Sequence, residues 1–389
     1  MKADEDRKLS GSAGAAAAAY PGWSMRSPSA GRVEVPFSAR FHFARSGRHP
    51  DGRLVEGLRM VRRDAAMSEF AHSPVMVKEV VDLLAPCPSG PVLDATLGGA
   101  GHARALLEAA PHLSVIGLDQ DPQALSAASA VLQPYEKRAR IVRARFDGLS
   151  DVLDDLGVGA ISGALFDLGV SSPQLDRPER GFSYRMEAPL DMRMDPEHRL
   201  TAADVVNGWE ENVIASLLRD NGESRFASRI ARAIVAARPL STTVELAETV
   251  RSAIPAAARR TGGHPARRVF QAIRIAVNEE LDILPGALDA AISRLAPGGR
   301  CVVLAYHSGE DRIVKERFRL AATGGCVCPP GLPCVCGADP QVRLLTRGAR
   351  KPSREEVATN PRSESARLRA VERLPEGATT SSKATGSPA

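Results

Sequence analysis

A run of small residues closes an apolar segment around position 100, Val92-Leu-Asp-Ala-Thr-Leu-Gly-Gly-Ala-Gly-His102. Glycines let a ligand approach the backbone, and the first turn of a following helix offers it free N–H groups. Such a turn suits a dinucleotide, a nucleoside or simply a tight connection. Its spacing differs from Gly-x-Gly-x-x-Gly, which disfavours an NAD site.

A carboxylate ends the next apolar segment, Val115-Ile-Gly-Leu-Asp119. In nucleotide-binding α/β folds an acid about 20 residues past the glycines accepts hydrogen bonds from ribose. Capping the next helix is the alternative role for an acid here, but Asp121, directly before Pro122, is better placed for it. The position therefore favours Asp119 as a ligand-binding residue.

Two further side chains follow apolar segments. Phe146 lies just past a third segment, where its ring packs either on an adenine face or in the core. Asp167 opens the run Asp167-Leu-Gly-Val-Ser-Ser-Pro-Gln-Leu-Asp176. It either caps its own turn or faces an active cleft, and the cost of an unpaired buried carboxylate favours the cleft.

A last polar cluster spans His307 to Arg312 within Tyr306-His-Ser-Gly-Glu-Asp-Arg-Ile-Val314. Its position after an apolar segment predicts a place at the same functional edge. The alternative is that Ser308 and Asp311 only cap the next helix. The two roles are compatible.

The elements that position these groups alternate between strand and helix, which indicates a parallel sheet. Strands are predicted at 91–96, 115–119, 139–144, 161–168, 300–306, 342–346 and 366–371. Helices are predicted at 101–110, 122–132, 280–295 and 311–322, with a turn at 297–299. Between residues 175 and 270 the three-to-four spacing of Ala, Leu and Arg, clearest over 226–237, predicts an inserted all-helical subdomain.

The ends of the chain differ from its body in composition. Residues 1–66 contain an Ala run and no sustained period, which predicts a disordered extension, and the tail 375–389 is of low complexity. Met67 resembles a natural start, so the extension is either a true tail or a misassigned start. The acids Asp4, Glu5 and Asp6 disfavour a transit peptide.

Charge is unevenly distributed along the 389 residues, whose net charge is +5. Residues 225–274 hold 10 Arg against Glu245 and Glu248, and residues 343–374 hold nine Lys and Arg against four Glu. These patches predict a polyanionic partner, with a solvated helix face as the alternative. Aromatic residues make up only 4%, so contacts to phosphate should matter more than base stacking. No apolar stretch reaches about 18 residues, so no membrane contact is expected.

Six cysteines are present. Cys87 and Cys301 stand alone in apolar surroundings and are predicted to lie in the core. The others form Cys326-Val-Cys328-Pro-Pro-Gly-Leu-Pro-Cys334-Val-Cys336. A reducing compartment is expected, which disfavours disulfides. Zinc is the alternative, but Cys-x-Cys is tighter than the usual ligand spacing, so a reduced surface loop without metal is favoured.

Taken together, the motifs resemble one family, the MraW family of bacterial 16S rRNA cytosine-N4 methyltransferases. Besides the runs around the glycines, Asp167 and His307, they include His72-Ser-Pro-Val, Asp119-Gln-Asp-Pro-Gln123, Arg180-Gly-Phe-Ser183, Pro189-Leu-Asp-Met-Arg-Met-Asp195 and Phe270-Gln-Ala-Ile-Arg-Ile275. The resemblance covers about residues 67–374 in order. Two departures are Ala100 and Gly309, where a glycine and a larger apolar residue are common.

The resemblance implies a Rossmann-like class I sheet that uses S-adenosylmethionine, with methyltransferase domain segments 67–174 and 271–374 and an insertion at 175–270. The implied cofactor contacts are Ala100, Gly101, His102, Asp119, Phe146, Asp167 and Gln174. The implied partner is 16S rRNA in the cytoplasmic small ribosomal subunit, at a cytidine of the decoding region; a homodimer is left open.

Asp167 is the candidate catalytic residue, because amine methyltransferases as a class place an acceptor for the target N–H there. The turn at 171–173 is the other candidate acceptor. The target base has to leave its stack, and phosphate contacts are expected from the insertion and its border, at Arg225, Arg229, Arg232, Arg267, Arg268 and Arg274.

Three other functions compete with this interpretation. A DNA amino-methyltransferase would show an Asn/Asp-Pro-Pro-aromatic turn where this chain has Asp167-Leu-Gly-Val. A non-catalytic RNA-binding assembly factor would not need intact cofactor motifs. An NAD-dependent enzyme is disfavoured by the glycine spacing.

Overall fold

Short apolar segments form one seven-stranded sheet in the computed structural model, which describes residues 74–259, 264–329 and 335–375. The strands are β1 (Gly90–Asp94), β2 (Leu113–Asp119), β3 (Ala139–Arg143), β4 (Ile161–Asp167), β5 (Leu295–Ala305), β6 (Val342–Leu344) and β7 (Arg367–Arg373). Their order is β3-β2-β1-β4-β5-β7-β6. Strands β1 to β5 pair in parallel, and β7 runs antiparallel to both of its neighbours.

Fourteen α-helices occur in the described ranges. They are α1 (Val77–Leu84), α2 (Gly101–Ala109), α3 (Pro122–Leu132), α4 (Leu149–Asp155), α5 (Ser172–Asp176), α6 (Ala202–Gly208), α7 (Glu211–Asp220), α8 (Ala227–Ala236), α9 (Thr243–Ala253), α10 (Ala256–Arg259), α11 (Ala266–Asn278), α12 (Glu280–Arg294), α13 (Ser308–Thr323) and α14 (Arg354–Thr359). None of the described helices is long and apolar enough to cross a membrane.

Both faces of the sheet are covered, as parallel strands require. Neighbouring residues of one strand point to opposite faces. Val92 and Leu165 therefore enter a core with α1, α2 and α3, whereas Leu93 and Phe166 enter a second core with α4, α12 and α13. The predicted α/β class with a Rossmann-like methyltransferase sheet is confirmed.

The helices from α6 to α11 surround a third core, which extends from Phe182 to Val277. The predicted all-helical segment therefore has its own apolar centre. That centre continues seven residues past the predicted boundary at 270, because α11 packs its buried face on the insertion. The division into domains stays a prediction. The disordered ends predicted at 1–66 and 375–389 lie outside the described residues, except for residue 375.

The predicted bounds of an element match the structure well where a capping residue marks the start of a helix. Helix α3 has its predicted bounds, capped by Asp121, whose side chain accepts from the Gln123 N–H. Strand β5 differs, since it begins at Leu295 and contains the predicted turn at 297–299. Its pairing with β4 shifts register there, between Ile161 and Gly163, so the turn is an irregularity inside the strand.

Candidate functional site

A cavity of about 1420 Å³ lies where the carboxyl ends of β1, β2, β4 and β5 face the helical insertion. This is the edge at which open α/β sheets bind ligands. The predicted site residues Gly101, His102, Asp119, Phe146, Asp167 and Gln174 all line it. The structure therefore brings together groups that are up to 73 residues apart in the sequence.

The glycine turn and Asp119 form one unit. The Gly98 N–H donates to Asp119 Oδ2, and the Asp121 N–H donates to Oδ1, both at 2.8 Å. Gly98 has a φ of 52°, which favours glycine. Ala100 differs from the other predicted contacts, because its side chain is fully buried and it is not among the described lining residues. Any contact from this position has to come through the neighbouring backbone.

Three carboxylates, the acidic trio, gather at this edge: Asp94, Asp119 and Asp167. Burial raises the pKa of Asp94 to about 7 and that of Asp119 to about 6. Of the ion pairs among the described residues, none gives the trio a Lys or Arg partner, and only His102 lies near. Of the three, Asp119 and Asp167 are half-buried, and acids without cationic partners suit a ligand that carries positive charge.

Asp167 is held at the centre of the edge by two neighbours. The Tyr306 hydroxyl donates to Oδ1 at 2.6 Å, and His102 Nδ1 lies 3.6 Å from Oδ2. His102 Nε2 is 2.8 Å from the Val75 carbonyl, which can only accept, so Nε2 carries hydrogen. The Nδ1···Oδ2 contact is then favourable only with one proton between the two atoms. Burial raises the pKa of Asp167, against the lowering effect of His102 and Tyr306.

Phe146 combines the two roles considered for it, and Gln174 lines the cavity while it supports a turn. The Phe146 ring packs edge-on against Phe166, with centroids 5.9 Å apart, and still lines the cavity. Gln174 accepts from the Ser171 N–H at 3.0 Å and donates to Asp121 at 3.2 Å. It therefore fixes the turn after Asp167.

The cluster at His307 forms the cap of α13, but not through the residues expected. The cap is His307 itself, whose Nδ1 accepts from the N–H groups of Gly309 and Glu310. Glu310 accepts in return from the His307 N–H. Ser308 is the first residue of the helix, and Asp311 pairs with Arg369. Both His307 and Glu310 also line the cavity.

The opposite side of the cavity, the insertion wall, consists of aromatic and basic residues: Phe182, Tyr184, Arg185, Arg267 and Phe270. Tyr184 stacks on His264 with centroids 4.5 Å apart and meets Phe270 edge-on. Arg185 and Arg267 are exposed. This wall offers stacking surfaces and cations, which suit a nucleotide.

The arginines predicted to bind phosphate are not equivalent. Arg274 donates to both oxygens of Glu280 at 2.8 Å in a buried pair. This pair engages Nε and one terminal nitrogen, and Arg274 also lines the cavity, so its contact with phosphate stays a prediction. Arg225, Arg229, Arg232 and Arg268 are exposed but lie outside the cavity lining of the described chain. Arg267 is exposed and lines the cavity.

Sequence reasoning assigned no role to three residues that shape the site. Tyr306 begins a conspicuous motif, yet its bond to Asp167 joins residues 139 positions apart. Asn278 accepts from the Met194 N–H and donates to the Met192 carbonyl, which holds the 189–195 loop. Tyr184 lies in a segment interpreted only through its helical spacing. An aromatic residue between two family-like motifs was the available signal.

The donor set fits S-adenosylmethionine. Asp119 is a half-buried acceptor at the end of β2, where ribose hydroxyls donate in related folds. Phe146 offers a ring for adenine, and the acidic trio suits the sulfonium and ammonium charges. The glycine turn brings backbone within reach.

The chain is similar in sequence to a known family and to named proteins. The MraW methylase family model matches residues 69–374. Ribosomal RNA small subunit methyltransferase H of Mycobacterium sp. (strain KMS) is 54% identical over 340 residues, covering 84% of this chain and 90% of that protein. The protein of the same name from Thermobifida fusca is 54% identical, covering 79% and 94%. An rRNA methylase structure from Streptococcus thermophilus gives a TM-score of 0.34 at 13% identity, covering 81% of this chain and 99% of that one.

The match over residues 69–374 and the 54% identity across most of the chain confirm the resemblance carried by the motifs. The chain belongs to the MraW methylase family of S-adenosylmethionine-dependent methyltransferases.

Proposed function

We propose that the chain methylates the exocyclic N4 amine of one cytidine in the decoding region (P site) of 16S rRNA in the small ribosomal subunit. The observation that carries the proposal is that Asp167 lines one cavity together with Asp119 on the cofactor side and with the insertion wall. A cationic methyl donor fits the first side, and a base turned out of its stack fits the second. The relatives named as rRNA small subunit methyltransferases support the substrate class.

Asp167 would help the cytosine amine to react although it is a weak nucleophile. A cytosine amine is weakly nucleophilic because its lone pair is delocalised into the ring. A charged Asp167 accepts one amine N–H, which favours rehybridisation as the N–C bond forms, and then takes the proton released. The Tyr306 hydroxyl holds Oδ1 in place and leaves Oδ2 toward His102. When bound, S-adenosylmethionine supplies an electrophilic methyl group and leaves as a neutral thioether.

The cofactor side of the cavity and the insertion wall would position the two reactants and exclude water from them. Holding amine and methyl in line replaces a bimolecular encounter and accounts for much of the expected acceleration. Tyr184 would stack on the base, supported from the side by Phe270, while Arg185 and Arg267 would hold flanking phosphates. Gln174 keeps the Ser171 turn beside the amine.

The test uses small subunits from cells that lack the endogenous enzyme. Purified protein and isotopically labelled S-adenosylmethionine should place label on N4-methylcytidine in digested 16S rRNA, read by mass spectrometry. Naked duplex DNA and the Asp167→Ala protein serve as controls. Label in DNA, or on another base, would overturn the proposed substrate. Cofactor binding without any transfer would favour the assembly-factor alternative.

A further inference from the structure

Three cysteines outside the cavity converge in space. Helix α13 ends at Gly324 and Gly325, both with positive φ, and the chain then passes Cys326 and Cys328. It returns at Cys336, after residues 330–334, which lie outside the described part of the chain. The three sulfur atoms all lie within 4.8 Å of one another. Two turns of the chain thus deliver thiols to one point.

The spacing of the sulfur atoms fits a shared metal ion. Cys326 Sγ and Cys336 Sγ are 3.7 Å apart. A disulfide requires about 2.05 Å. In a tetrahedral site with Zn–S bonds of about 2.3 Å, two sulfur atoms stand about 3.8 Å apart. A separation of 3.7 Å is thus too long for a disulfide and compatible with two sulfur ligands on one zinc ion.

A backbone contact joins the two arms of the loop at the cluster. The Val335 N–H donates to Cys328 Sγ at 3.4 Å, which holds this sulfur beside the arm that carries Cys336. By contrast, Cys87 and Cys301 are buried in the sheet cores, as predicted, and burial raises the pKa of both thiols.

We propose that Cys326, Cys328 and Cys336 hold a structural zinc ion. Three thiolate ligands select zinc over harder divalent ions, and they leave one tetrahedral position for a further donor. The tight Cys-x-Cys spacing, which disfavoured zinc on sequence grounds, is overcome because the ligands come from both arms of the loop.

The ion would fasten the loop that leads to the sheet edge. The Gln341 N–H donates to the Ala321 carbonyl at 2.9 Å, which closes the base of the loop just before β6. Zinc would close its outer end, where Val327 and Val335 are 85% and 88% exposed. The expected effect is on local stability and protease resistance, because none of these residues lines the cavity.

The test measures metal in untagged protein purified with reductant and then dialysed against trace zinc. Mass spectrometry of the metal content should give one zinc per chain. Cys326→Ser and Cys336→Ser should each lower this at least tenfold. Val327→Ser, in the same loop and highly exposed, is the matched control and should keep the ion. Cobalt(II) in place of zinc should show thiolate-to-metal charge-transfer absorption in the intact loop only.

Limited proteolysis and cofactor binding keep the result interpretable. Chelation should expose the 324–341 loop to cleavage while S-adenosylmethionine affinity stays within twofold, which shows that the sheet remains folded. The proposal would be overturned by no zinc above background, by zinc retained in both cysteine variants, or by iron with visible absorption in its place. A Cys326–Cys336 disulfide in protein kept reduced would do so too.

Discussion

Asp119 and Asp167 of the acidic trio line the same cavity as the insertion wall, but the charges of the two regions are balanced differently. The trio is surrounded by backbone N–H groups, a tyrosine hydroxyl and one histidine. Toward the insertion, buried carboxylates meet arginines instead: Glu280 binds Arg274, and Asp121 binds Arg180, at 2.8 Å each. Acids left without a cation are available to a cationic ligand, whereas acids already paired serve the fold.

The same contrast divides the arginines into those paired with buried acids and those exposed at the rim of the cavity. Replacing an arginine that pairs with a buried acid would leave that acid unpaired, so such a change should lower stability. Those at the rim, Arg185 and Arg267, face the cavity and solvent. The cofactor side should therefore depend on acids and pH, and the RNA side on exposed arginines and salt.

The largest effect is expected at Asp167, where the two sides meet. Asp167→Ala should lower kcat by roughly 100- to 1000-fold, because it removes a hydrogen bond that strengthens in the transition state. Asp167→Asn should have a smaller effect, since its amide oxygen still accepts. Single-turnover assays on small subunits with cofactor in excess measure this. If both variants regain full rate at high cofactor, Asp167 is a binding residue only, and the 171–173 turn orients the amine.

A smaller effect is expected at Asp119, on the cofactor side alone. Asp119→Ala should weaken S-adenosylmethionine binding by about 1.5–3 kcal/mol, or roughly 10- to 150-fold, because it removes a charge-assisted acceptor. Calorimetry gives the affinity, and rRNA affinity should change little. Asp82→Ala, an exposed acid on α1, is the control. Unchanged cofactor affinity would remove Asp119 from the site.

Cofactor affinity should also depend on pH. Burial raises the pKa of Asp119 to about 6 in the free protein, so the group holds a proton below that pH. A cationic ligand binds the charged form, so affinity should rise about tenfold per pH unit toward 6 and then level. Calorimetry in buffers of different ionisation heat should show proton release on binding near pH 6. In Asp119→Asn the rise in cofactor affinity with pH should be smaller. An unchanged pH profile would assign the rise to Asp94 or Asp167 instead.

These predictions rest on features that the sequence revealed unequally. Strand ends were predictable, because alternation and a terminal polar residue are local properties, and this placed Asp119, Phe146 and Asp167 at one edge. The pairing of Arg274 with Glu280 was not, although they are six residues apart. It depends on the bend at Glu279, whose φ of 54° lies between α11 and α12.

Long-range contacts were the other limit. Tyr306 reaches Asp167 only because β4 and β5 are neighbours, which a strand pattern alone does not state. The cap of α13 went to His307 instead of Ser308, because an imidazole nitrogen accepts as a hydroxyl does. The cysteine cluster likewise needed the path of the loop. The types of the site residues and their approximate positions could be predicted from the sequence. Their interaction partners could not, because these depend on the fold.

The smallest effect, and the one that most sharply tests the RNA side, concerns Arg267 and Arg268. Replacing both should flatten the salt dependence of rRNA binding, by roughly 0.7 to 0.9 of a unit for each phosphate that an arginine no longer neutralises, while cofactor affinity stays intact.

The structure gives the two arginines different surroundings. Arg267 lines the cavity, whereas Arg268 is 3.6 Å from the buried Glu223. Arg267→Gln alone should therefore account for most of the change in slope, and Arg268→Gln should mainly lower stability by leaving Glu223 unpaired. Arg251→Gln, which removes an exposed arginine paired with Glu248, is the matched control and should leave the slope unchanged. Filter binding across a salt series and thermal unfolding measure the two quantities. If stability alone changes in every variant, the arginines serve a solvated helix face, and the phosphate contacts must come from elsewhere.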